Sequence, residues 1–120
     1  MIQHELNSEK GILVLKPLGP LEAKDFAEIT RDADAYIENH DSLNGLMIVA
    51  EKFPGWEDVQ GFVAHLQFVR DHHKKIKKVA FVGDSKFFEF VPRLAEHFVS
   101  AEVKHFDFHN EKSALEWLNA

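Results

Sequence analysis

Two short stretches of this chain concentrate its unusual side chains. Lys52, Phe53, Trp56 and Asp58 occupy one, and Asp84, Lys86, Phe87 and Phe88 the other. Each follows directly on an apolar run, 46–50 in the first case and 79–82 in the second. Large rings with a few charges around them are the usual lining of a small-molecule cleft, where the rings pack on the ligand and the charges orient it. The chemistry these residues suit is recognition: Phe53 and Trp56 on one wall, Phe87 and Phe88 on the other, and Lys52 or Lys86 for an acidic group.

Bond-making chemistry finds less to work with. A nucleophile elbow of the form G-x-S-x-G is missing, and only Ser85 among the serines lies near the candidate stretches. A dinucleotide fold needs a glycine-rich turn and a P-loop needs Lys followed by Ser or Thr; the segment Gly83-Asp84-Ser85-Lys86 has one glycine followed by an acid, which repels phosphate. Asp84 or Ser85 reads there as a helix cap. The 8 histidines invite a metal search. His65 and His72 are separated by roughly 10 Å along a helix, and His72 and His73 point about 100° apart, so neither pair shares an ion. Asp58 with His65, or His105 with His109, would need tertiary approach. No metal site and no cofactor are expected. An enzyme using Asp58, His65 or Asp84 as acid or base stands as a third alternative.

The elements that position these residues follow from periodicity. Residues 2–6 alternate apolar and polar, 7–11 carry turn chemistry, and 12–15 are apolar, which predicts an antiparallel hairpin. Pro20 suits the first helical position, and Phe26, Ile29, Ala33, Tyr36 and Ile37 form one stripe, which predicts a helix over 20–39. Asn44-Gly45 then reads as a turn before the apolar run 46–50, a strand buried on both faces. Val59, Phe62, Val63, Leu66 and Val69 mark a second helix, and 78–83 a further buried strand. Phe87, Val91, Leu94, Ala95 and Phe98 make a third helical stripe that Pro92 interrupts. A strand over 102–108 and a helix over 111–118 close the chain. The order β β α β α β α β α predicts a single α/β domain over 1–120: one mixed, mostly parallel sheet with an N-terminal antiparallel hairpin and crossover helices. The candidate stretches then lie beyond the carboxyl ends of the third and fourth strands, where such sheets bind ligands.

Composition bounds the partners. The chain has 120 residues, 14 Lys and Arg against 20 Asp and Glu, a formal net charge of −6, and no cysteine. Disulfides, thiolate metal sites and thiol catalysis are excluded. The acidic balance opposes general nucleic-acid binding. The basic segment Arg70, His72, His73, Lys74, Lys75, Lys77 and Lys78 reads as a solvated helix terminus complementing the helix dipole. Apolar runs of about five residues fall far short of the roughly 20 that cross a bilayer, and the opening residues do not form a signal peptide, so a cytoplasmic protein is expected. The 11 Phe against 1 Tyr leave the aromatic content almost without polar handles, suited to packing or to an apolar ligand.

The order of elements resembles the SpoIIAA-like family of the STAS domain superfamily, related to CRAL-TRIO lipid-binding domains. The residues that carry the resemblance are the hairpin leading into Gly19-Pro20-Leu21, the strand 46–50, the segment ending Val82-Gly83-Asp84, and Phe106 followed by Ala114-Leu115-Glu116-Trp117-Leu118. It covers essentially the whole chain. The resemblance implies a non-enzymatic module binding a protein partner, a nucleotide or an apolar ligand. Anti-sigma factor antagonists of that superfamily are switched by phosphorylation of a Ser or Thr at the helix after the third strand; here residues 54–58 contain no hydroxyl, and the switch does not carry over. The expectation is a binding module for an apolar or lipid-like ligand. The alternative is a protein-interaction module, self-associating or meeting a partner protein through the same rings.

Overall fold

A computed structural model of the chain describes residues 1–51, 59–83 and 102–120. The hairpin comes first: β1 (Ile2–Asn7) pairs antiparallel with β2 (Ile12–Pro17), Ile2 opposite Pro17 and Asn7 opposite Ile12. The Asn7 side chain accepts from the backbone of Glu9 and Lys10, and Gly11 closes the turn at φ 69°, where a side chain would be strained.

Then come α1 (Ala23–His40), β3 (Gly45–Ala50), α2 (Val59–His72), a 3-10 turn over His73–Lys75, β4 (Lys78–Gly83), β5 (Glu102–Phe106) and α3 (Glu111–Asn119). The sheet order is β1-β2-β3-β4-β5, parallel from β2 onward. The mixed sheet with its leading hairpin is the predicted architecture. The predicted helical stretch over 87–98 lies outside the described residues.

Side chains alternate across the sheet because successive Cβ atoms point to opposite faces. Leu13, Leu15, Leu46 and Val79 meet Phe26, Ile29, Ala33, Ile37 and Phe68 of α1 and α2 in one core. Ile12, Met47, Val49, Ala80 and Val82 meet Ala114 and Leu118 of α3 in the other. Burial on both sides explains why 46–50 and 79–82 are unbroken apolar runs.

Three expected boundaries shift. Helix α1 starts at Ala23, not at Pro20, because Glu22 and Asp25 provide the cap: the buried Asp25 carboxylate accepts the Glu22 N–H at 3.0 Å. Gly45 is the first residue of β3 and lies under Leu118, so it belongs to the strand and not to a turn. Strand β5 stops at Phe106, since Asp107 already turns the chain by accepting the Asn110 N–H.

Candidate functional site

The predicted ligand residues Lys52, Phe53, Trp56 and Asp58, and Asp84, Lys86, Phe87 and Phe88, all lie outside the described residues. The frame they leave from is described. Ala50, the last residue of β3, is the register partner of Gly83, the last of β4. Neighbouring strands are about 4.8 Å apart. The two aromatic stretches therefore leave the sheet from adjacent points on one edge.

Elements around this point pack closely. The first turn of α2 abuts the start of α1, where Gly61 faces the Leu21 carbonyl so tightly that a Cβ would overlap it. His105, next to the end of β5, donates from Nε2 to the Gly83 carbonyl at 3.1 Å. The carbonyl at the root of the 84–88 stretch is thereby held by a side chain from the neighbouring strand, a contact that sequence spacing did not suggest. The described strands follow one another in chain order without reversal.

The His65 ring stacks on Phe26 with centroids 5.1 Å apart and planes inclined by 15°, packed between α1 and α2. Burial disfavours the imidazolium and pushes its pKa below the usual histidine value.

Four more histidines have particular partners. His4 meets Asp32 at 2.6 Å, and that hydrogen bond is the main reason the Asp32 carboxyl sits below its usual range. His40 stacks on Tyr36 and His109 packs edge-on against Phe108. His72 bonds Asp34 and the Phe68 carbonyl. Among the described residues no group of three or more His, Asp or Glu could hold a metal ion.

The basic segment is not the uniformly solvated terminus expected of it. Lys74, Lys75 and Lys77 are exposed, but His72 is buried and Lys78 is half-buried, donating to the Trp117 carbonyl at 3.1 Å with its Nζ 5.3 Å from the Trp117 ring centre. Trp117 also packs on Phe106 at 5.9 Å. The Ala-x-x-Trp-Leu motif is thus structural: Ala114 and Leu118 seal the second core, and Trp117 covers the end of β5.

A shallow cleft on the α3 face went unforeseen. It holds about 270 Å³ between Glu5 and Lys16 on the hairpin and Glu111 and Leu115 on α3, floored by Ile12 and Met47. Drug-sized ligands occupy pockets of roughly 300–1,000 Å³. Its floor is already buried, and the Lys16–Glu111 pair at 3.5 Å closes one end. The period-two alternation of the hairpin and the i, i+4 spacing of Glu111 and Leu115 were the signals for it.

This arrangement is that of a small α/β module with a five-stranded mixed sheet, two described helices on one face and one on the other. The sequence profile of the SpoIIAA-like family matches residues 12–119, and the chain belongs to that family. Its fold is similar to the crystal structure of an uncharacterized protein of the DUF3478 family with a SpoIIAA-like fold from Shewanella loihica PV-4. That likeness has a TM-score of 0.75 and 23% identity, over 98% of this chain and 92% of that one. None of the curated proteins matches the chain. No described helix is long and apolar enough to cross a membrane.

Proposed function

We propose that this chain is a non-enzymatic binding or regulatory module that takes an apolar or amphipathic, lipid-like ligand at the stretches following β3 and β4. The observation that supports this most is the register of Ala50 with Gly83, which starts the two aromatic stretches side by side. Trp56 and Phe53 pack on one side of the ligand, Phe87 and Phe88 on the other, and Lys52 or Lys86 pairs with an acidic headgroup.

Fluorescence titration with a medium-chain fatty acid tests the reading. The chain has 2 Trp, so Trp117→Phe leaves Trp56 as the sole indole. A saturable change in Trp56 emission, lost in Lys52→Ala or Lys86→Ala, is expected. An unchanged spectrum together with no retained ligand in native mass spectrometry overturns it. If Trp56→Ala instead dissociates a dimer, the same rings serve a protein interface.

A further inference from the structure

The pair Asn44-Gly45, which by residue type reads as a turn, instead joins the hairpin to the central strands. Of the five asparagines only Asn44 precedes a glycine. That order is among the most labile an asparagine can take, because glycine has no side chain to hinder attack of its own nitrogen on the neighbouring amide carbon. Asn44 is exposed, so water reaches its side chain, while Gly45 is buried.

The fold ties down both nitrogens that this reaction uses. Asn44 Nδ2, the leaving group, donates to the Lys10 carbonyl at 2.8 Å. The backbone N–H groups of Asn44 and Gly45 both donate to the Gly11 carbonyl, at 2.9 and 3.2 Å, so the nucleophile is held by the same hairpin turn. Gly45 is also fixed opposite Ile12 as the first residue of β3, and a Cβ on it would lie 2.9 Å from Cδ2 of Leu118. Each residue type has a structural reason: an amide donor for Lys10, and a bare Cα under α3.

We infer that Asn44 is a modification site: it deamidates spontaneously to aspartyl and isoaspartyl forms when the hairpin turn parts from the start of β3, and the product no longer closes. In the open chain the Gly45 nitrogen loses its proton and bonds to Asn44 Cγ. The Cγ–Nδ2 bond breaks, and the NH2 group leaves with that proton as ammonia. The five-membered imide then takes up one water at either carbonyl carbon. Opening at Cγ leaves an aspartate; opening at the backbone carbonyl carbon leaves a chain that runs through Cγ and is one methylene longer. Neither product fits the closed state. A carboxylate in place of Nδ2 offers only lone pairs to the Lys10 carbonyl, which loses its donor. The extra methylene falls between residues 44 and 45, where the pairing of β2 with β3 begins, and displaces that register. The site therefore records opening in one direction only.

Peptide mass spectrometry of the full chain aged in mildly alkaline buffer, folded and in urea, tests this. The folded chain is expected to convert at Asn44 at least about tenfold more slowly than the unfolded one, because the reaction follows the open fraction. Gly11→Ala sets a methyl group against the Tyr36 hydroxyl and 3.0 Å from Asn44 Nδ2, at a φ of 69°, so it loosens the clasp and speeds conversion in native buffer. Asn44→Asp, which carries the aspartyl product from the start, lowers the urea midpoint and speeds amide exchange at residues 44 and 45. Equal rates in the folded and unfolded chain, no conversion in either, a folded Gly11→Ala chain that ages like the parent, or an Asn44→Asp chain as stable as the parent overturns the inference. If Gly11→Ala does not fold, the parent with and without urea decides the gating alone. None of these residues belongs to the aromatic stretches, so failure here leaves the ligand-site reading standing.

Discussion

The ring of His72 bridges two helices: its Nε2 lies 2.7 Å from Oδ1 of Asp34 on α1, and its Nδ1 lies 2.8 Å from the Phe68 carbonyl one turn back on α2. His72 is 3% exposed, and it also stacks on Phe68 with centroids 4.3 Å apart. This side chain is a rivet between α1 and α2. Asp34→Ala leaves a buried ring nitrogen without its acceptor and is expected to cost roughly 1–3 kcal/mol. His72→Ala also opens a cavity beside Phe68, so the loss is larger, on the order of 3 kcal/mol. The double variant costs less than the two losses added, because both remove the same contact. Urea denaturation midpoints measure all three; an Asp34→Ala variant as stable as the parent contradicts the bridge.

Acid should weaken the fold in two separate windows. His65 has its folded pKa pushed below its unfolded value of 6.5, so between the two the unfolded chain binds the extra proton. Stability from this group is complete above that value and falls as pH drops below it. Asp32 is held below its ordinary 3.8 chiefly by the His4 hydrogen bond, and its contribution is lost only as pH falls past that value. Unfolding free energy measured from pH 7.5 to 3 should therefore decline first in the histidine window. His65→Phe keeps the ring contact with Phe26 and flattens that first decline. An unchanged slope in this variant would show that another group is responsible.

Two glycines should respond differently to the same change. A Cβ on Gly61 would run into the Leu21 backbone carbonyl, whereas at Gly19 no described residue lies within 4 Å. Alanine at a helix interior normally gains up to about 1 kcal/mol over glycine. Backbone cannot swing aside as a flexible side chain can, so Gly61→Ala is expected to give a net loss of about 1–3 kcal/mol by forcing α2 away from α1. Gly19→Ala stays within about 0.5 kcal/mol of the parent. Thermal melts of the two variants make the comparison. A Gly61→Ala protein that melts higher than the parent would mean the helices do not approach this closely.

Much of the architecture was legible before any tertiary contact was known. The alternation in 2–6, the unbroken runs 46–50 and 79–82, and the stripe Phe26, Ile29, Ala33, Tyr36 and Ile37 are direct imprints of which faces are buried. Such patterns are local, with periods of two or about 3.6 residues, and a single sequence carries them in full. Helix starts were harder to read, since Pro20 and the Glu22–Asp25 pair both signal a beginning and only the carboxylate bond to the Glu22 N–H decides between them.

What the sequence alone determined is the class of layers and the direction of the chain through them: hairpin first, then strands alternating with helices, in one mixed sheet. Only the tertiary structure decided how residues far apart in the chain meet. The Ala50–Gly83 register, the joining of His72 to Asp34, and the burial of His72 beside a half-buried Lys78 in a lysine- and histidine-rich segment all belong to that second kind. The physical reason is that burial leaves a periodic trace along one segment, whereas a hydrogen bond or a strand register is a relation between two segments. Its partner is chosen by packing and by the loss of water, and spacing along the chain does not encode it.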